Sequence, residues 1–134
     1  NTLTIPVYIS KPTIRFDIKE SNAGVEISDG MVRKTFVNLS KSKGYASENN
    51  SEDFVCVVET ETKQQSFANG IYTSILTGTI VVTDTNNKIK YITEISPVKG
   101  MQLTPGKAGI EAYNEFVKQI NTRYFREIEE AILK

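Results

Sequence analysis

Histidine and tryptophan are absent from this chain of 134 residues, and cysteine occurs once. Without imidazole the chain lacks the usual general base of neutral pH and the commonest nitrogen ligand for a metal. A single cysteine, Cys56, forms no internal disulfide, so the redox state of the compartment is not written in the chain. Charge of one sign is missing as well. Sixteen basic residues face sixteen acidic ones, which removes the long-range field that attracts a nucleic-acid backbone and excludes a generic nucleic-acid partner. No apolar run approaches the roughly 20 residues of a membrane-spanning helix, and no charged-then-apolar leader opens the sequence. Because the first residue is Asn1 rather than Met, removal of an upstream segment is expected, by a signal peptidase, another protease or recombinant design.

What is present is a supply of β-branched and aromatic residues punctuated by turn signals. The length predicts one domain over residues 1–134, enough to bury about two-thirds of the surface of the unfolded chain. Thr2 to Ile9 alternates Leu3, Ile5, Val7 and Ile9 with polar neighbours and reads as a strand with Pro6 on an edge. Thr13 to Ile18 puts Ile14, Phe16 and Ile18 on one face, continuing the first strand or pairing with it. Ser21 to Gly24 reads as a turn. Ser28 is then expected to cap a helix running to about Lys43, with Met31, Val32, Thr35, Phe36 and Leu39 on its apolar stripe. Residues 46–53 read as an exposed loop.

A further strand spans Phe54 to Thr62, followed by a polar connector from Lys63 to Gly70. Two long alternating strands come next, Ile71 to Thr83 and Ile89 to Val98, joined through Asp84 to Lys88 as an antiparallel hairpin. Thr104 and Pro105 supply an N-cap and a first-turn proline for the last element. There Ile110, Tyr113, Phe116, Val117, Ile120, Tyr124, Ile128, Ala131 and Ile132 recur at helical spacing. Such a helix, about 28 residues or roughly 42 Å long, exceeds the width of a compact domain. Its end must therefore overhang the sheet, pack on a partner, or break near Asn121 and Thr122. The fold class expected is α+β: an antiparallel sheet of four to five strands with two helices on one face, the carboxyl-terminal one long.

The candidate motifs favour structural roles. Cys56 lies in the apolar run Phe54-Val-Cys-Val-Val58, where a thiol fills core. Asp17 with Glu20, Glu59 with Glu61, and Glu129 with Glu130 show only local proximity, whereas acid/base work needs a pair held close with differently perturbed pKa values. Asp84 and Asn86 begin like a calcium loop, but the glycine and distal glutamate of an EF-hand are missing. Ser40 and Lys43 have a Ser-x-x-Lys spacing without its companion motifs. The sequons at Asn38 and Asn49 decide nothing about function. Gly100 and Gly106 flank the entry to the long helix without the spacing of a phosphate loop. Tyr45, Phe67, Tyr72, Tyr91 and Tyr113 are candidates for an aromatic contact surface.

The segment Gly70-Ile-Tyr-Thr, Leu76-Thr-Gly-Thr-Ile-Val-Val-Thr-Asp84, Val98-Lys-Gly100, Ala108 and Ala112 resembles bacterial envelope lipoprotein domains. The similar group is that of the curli-secretion lipoprotein, the penicillin-binding-protein activator lipoproteins and the TolB amino-terminal domain. The resemblance covers about half of the chain, mainly residues 70–120. It implies helices on a sheet, export to the periplasm or outer membrane, a lipid anchor upstream of Asn1, and protein–protein contact without catalysis. Cys56 is internal and departs from the lipid-bearing position.

The chain is accordingly expected to be a non-enzymatic envelope accessory domain, with neither cofactor nor metal, that binds another envelope protein or itself. The projecting end of the last helix, Tyr124, Phe125, Ile128 and Ile132, is the expected partner surface. The alternative is a carrier of small apolar ligands or lipid, with a helix-grip cavity lined by Ile75, Ile80, Val82, Ile92, Phe116 and Ile120.

Overall fold

The computed structural model describes residues 12–45 and 52–133. The strand expected at residues 2–9 lies outside the described residues, as does most of the loop at 46–53. Five strands form one sheet in the order β2-β1-β3-β4-β5. They are β1 (Ile14–Asn22), β2 (Val25–Ile27), β3 (Phe54–Ala68), β4 (Ile71–Asp84) and β5 (Ile89–Gln102). Helix α1 (Met31–Ser42) follows β2, while α2 (Pro105–Gln119), a π turn (Ile120–Tyr124) and α3 (Phe125–Ile132) form one rod at the carboxyl end.

The expected α+β class is correct, but the sheet is mixed rather than antiparallel. β1 runs parallel to β3 from Ile14 opposite Phe54 to Asn22 opposite Thr62, while the other three pairings are antiparallel. Parallel neighbours need a crossover, and α1 lies within the connection from β1 to β3. Helix and sheet periodicities meet on one face. Phe16, Cys56 and Val82 share a cross-strand row, and they are buried with Val58, Leu76, Ile80, Ile95 and Val98 beneath α1 and the carboxyl-terminal rod.

The strands are longer than their core-facing pattern. β3 does not stop at Thr62; it continues through the expected connector to Ala68. Asn69 and Gly70 alone make the turn, with φ of 53° and 76°, the two left-handed positions of a tight hairpin that glycine accepts without strain. Likewise Ser21 and Asn22 belong to β1, and β5 runs four residues past Val98 to Gln102. At about 3.3 Å per residue, strands of 14 and 15 residues reach roughly 46–50 Å. The sheet thus matches the rod in length, and the rod has no overhanging end.

The rod neither breaks nor stays a regular α-helix at Asn121. Ala108, Ala112, Phe116, Ile120, Tyr124, Ile128 and Ile132 are all buried at a strict interval of four. A helix of 3.6 residues per turn turns such a row about 40° out of line at every step. The π turn at Ile120–Tyr124 is locally wider and takes up part of that drift, keeping the row over the sheet. Asn121 Nδ2 donates to the Val117 carbonyl and Thr122 Oγ1 to the Lys118 carbonyl, each at 3.0 Å. Ile110, counted in the apolar stripe by its spacing, is exposed on the outer side.

Helix α1 is capped from a distance. Its N-cap is Gly30, without a side-chain cap of its own, and not Ser28. The amides of Val32 and Arg33 donate instead to Oε1 and Oε2 of Glu20, at 3.1 and 3.2 Å, from the neighbouring strand. A Cβ at position 30 would collide with that carboxylate. Glycine here makes room for a buried acid that satisfies the first-turn donors.

Candidate functional site

The polar groups inside the core are tied up structurally. Tyr113 Oη donates to the Ser21 carbonyl at 2.8 Å, lies 3.0 Å from Thr60 Oγ1, and accepts the Ser21 amide at 3.2 Å. Burial is the main cause that raises the Tyr113 pKa. Beside it Thr62 Oγ1 donates to Asn22 Oδ1 at 2.6 Å, and Asn22 Nδ2 donates to the Gly106 carbonyl at 3.0 Å. This clamp fastens the end of β1 to the first turn of α2. Two further tyrosines hold the far end of the rod. Tyr91 Oη donates to Glu127 at 2.6 Å, and Tyr45 Oη donates to Glu129 at 2.8 Å.

Burial, then the bond to Glu129, pushes the Tyr45 phenol up to about 12. Burial, followed by the Glu127 carboxylate, raises Tyr91, and the Tyr91 hydrogen bond is the first cause that lowers Glu127. Cys56 is fully buried, and its thiol is pushed up to about 12 by desolvation and the nearby Asp17 charge. A thiol held protonated inside a core is a poor nucleophile. Among the described residues no three His, Cys, Asp or Glu side chains are grouped as a metal site would require.

The surface expected from the sequence is absorbed by the fold. Tyr124, Phe125, Ile128 and Ile132 are 0%, 1%, 0% and 7% exposed, so all four pack the domain's own core and none stands out toward solvent. The Phe125 ring lies 6.2 Å from both Phe36 and Tyr45, and Tyr124 Oη accepts the Ser96 amide at 3.2 Å. That amide sits where Ser96 and Pro97 together face a single β4 residue, between the Leu76–Val98 and Gly78–Ile95 pairs. The six residues expected to line a ligand cavity do not meet either. Ile80, Val82, Phe116 and Ile120 are in the core, whereas Ile75 and Ile92 point to the opposite face of the sheet.

That opposite face is the surface the sequence reading missed. Both helices pack on one side, leaving the cross-strand row Asp17, Val57, Val81 and Ile92 on the other. Ile92 is 63% exposed. Next to this row Lys19, Glu59 and Thr79 border a shallow depression of about 330 Å³ that also includes Ser21, Glu61 and Thr77. Alternation did show two faces, but it gave no measure of which face the helices would cover beyond the apolar count.

No family model matches the chain, and no curated protein matches it in sequence. Solved structures similar in fold include two bacterial lipoproteins. Rare lipoprotein B from Shewanella oneidensis is 11% identical, with a TM-score of 0.51 over 89% of this chain and 96% of its own. A minor lipoprotein from Acinetobacter baumannii is 13% identical, with a TM-score of 0.53 over the same shares. The fold is shared with bacterial lipoproteins. Among the described residues no helix is long and apolar enough to cross a membrane.

Proposed function

We propose that this domain is a non-catalytic accessory of the bacterial cell envelope, exported to the periplasm or held at the outer membrane, that works by protein–protein contact. The observation carrying the reading is a sheet that, among the described residues, carries helices on one face only, with half-buried Val57 and Val81 and exposed Ile92 in one row on the other. Contiguous apolar side chains on an otherwise polar surface favour a macromolecular contact. The fold likeness to two lipoproteins supports the envelope setting, and the polar groups of the core support scaffolding over chemistry. The partner is another envelope protein or a second copy of the chain.

Site-directed photo-crosslinking in envelope preparations tests this. A crosslinker at Ile92 should give a discrete adduct, one at Glu115 on the outer side of the rod should give none, and Val57→Asp should abolish the first. Equal labelling from both positions, or none from Ile92, overturns the reading.

A further inference from the structure

At the turn between β3 and β4 the sheet runs out past its core and stays apolar on both faces. On one face Phe67 stands opposite Tyr72, with ring centroids 4.3 Å apart. On the other Ile71 and Met101 flank Thr73, which pairs with Met101. Phe67, Ile71, Met101 and Leu103 are 54%, 37%, 58% and 70% exposed. Among the described residues helices cover only one face of these strands, and a flat protein partner would meet only one of the two apolar faces of the tip.

Charge nearest the tip is one-sided, although the whole chain is neutral; Glu26 and Glu61, in the row of Ser21, and Glu111, one turn beyond Lys107, stand farther back. Residues 62–83 and 95–110, which supply the three strand ends and the first turn of α2, contain Lys63, Lys99 and Lys107 and no acidic residue. Lys63 and Lys99 both stand opposite Ile75, on the bare face just behind the tip. Lys63 is paired with Glu61 at 3.4 Å; Lys99 and Lys107 form no ion pair among the described residues. An apolar point with a cationic collar matches an interface that surrounds it on all sides, apolar below and anionic above.

We infer that the β3–β4 tip, with Phe67, Ile71, Met101 and Leu103 foremost and Lys99 and Lys107 behind them, seats in the headgroup layer of a bilayer containing anionic lipids. This does not rest on the protein-contact reading, which concerns the row Val57, Val81 and Ile92 farther along the sheet. Backbone exposure at the tip is limited because β3 and β4 stay paired to Ala68 and Ile71, so shallow immersion strands few polar groups.

The test is flotation of the full chain with vesicles of phosphatidylcholine alone or mixed with phosphatidylglycerol. The chain should float with the mixed vesicles, less with pure phosphatidylcholine, and less at high salt. Lys99→Glu with Lys107→Glu should weaken partitioning about thirtyfold or more, since each lysine near an anionic surface contributes about fivefold. Met101→Ser with Leu103→Ser should weaken it comparably while leaving the thermal midpoint unchanged, because both side chains are exposed. Phe67→Trp introduces the chain's single indole, whose emission should shift to the blue on mixed vesicles. Lys88→Glu with Ile89→Ser, at the opposite end of the sheet, should float like the wild type. Failure of the wild type to float, an unshifted indole emission from the Phe67→Trp variant, or equal loss from the opposite-end variant overturns the inference. So does capture by soluble polyglutamate with no vesicle binding.

Discussion

Gly100 lies directly against Ala108: a Cβ built on Gly100 of β5 would run into the Ala108 carbonyl and the Ala112 amide of α2. Helix backbone and strand backbone meet here without side chains between them, and Ala108 and Ala112 are small for the same reason. Gly100→Ala must lift the rod from the sheet. The expected loss is about 1–3 kcal/mol, the usual range for overpacking, seen as a lower urea midpoint at constant m-value. Gly106→Ala, where a Cβ meets nothing, should not reproduce it. A midpoint for Gly100→Ala equal to wild type would show that the rod can shift freely.

Glu20 should be worth more than its size suggests, because its two oxygens receive the α1 amides of Val32 and Arg33. Glu20→Ala leaves buried donors unsatisfied and should cost about 1–3 kcal/mol. Glu20→Gln keeps one acceptor and should lose less. Chemical denaturation checks the order; no difference between the two variants would remove the capping role.

Cys56 should be silent toward thiol reagents in the native state. It is fully buried, with its pKa pushed up to about 12, so neither access nor thiolate is supplied at mildly alkaline pH. Ellman's reagent should leave the thiol unmodified without denaturant and titrate it fully in its presence. Prompt native reaction would contradict the packing.

The alkaline limb of stability follows from the tyrosines. Tyr45 has a folded pKa of about 12 against 10.0 in the free side chain, and Tyr91 and Tyr113 are raised in the same direction. A folded pKa above the unfolded one favours the neutral phenol, so this stabilisation is complete below about pH 10 and is lost as pH rises toward about 12. Ultraviolet titration of the phenolate band should show a group of tyrosines ionising late, together with unfolding. All six tyrosines of the chain ionising together at the ordinary phenol value in folded protein would refute the buried networks.

On the acid side Glu127 carries the opposite sign. Its pKa is lowered, chiefly by the Tyr91 hydrogen bond, so its contribution is present above the unfolded carboxyl value and disappears as pH falls through the folded one. Tyr91→Phe should therefore flatten the decline of the thermal midpoint below about pH 4.5. An unchanged acid slope in that variant would mean that Arg123, 3.0 Å away, suffices.

How much of this was legible along the chain varied with whether the signal was local. The Thr104 cap, Pro105, the Asp84–Lys88 hairpin and the β4–β5 alternation are written in neighbouring residues, and the structure has them all. The Asn69-Gly70 turn was equally local but was obscured by Lys63 to Ala68, whose strand has left the core and so shows no apolar alternation. The four residues named as a partner surface were judged by the length of the helix against an assumed domain width. That width was wrong, because the strands extend with the helix.

The sequence by itself determined the two periodicities, the principal caps and turns, the core thiol and the lack of histidine chemistry, since each depends on residue type and short-range spacing. Only the tertiary structure decided that β1 runs parallel to β3, that Glu20 caps a helix twelve residues away, that the rod needs a π turn, and which side of the sheet the helices cover. These depend on contacts between distant segments, where the strict four-residue row and the close approach at Gly100 acquire meaning only once helix and sheet are laid together.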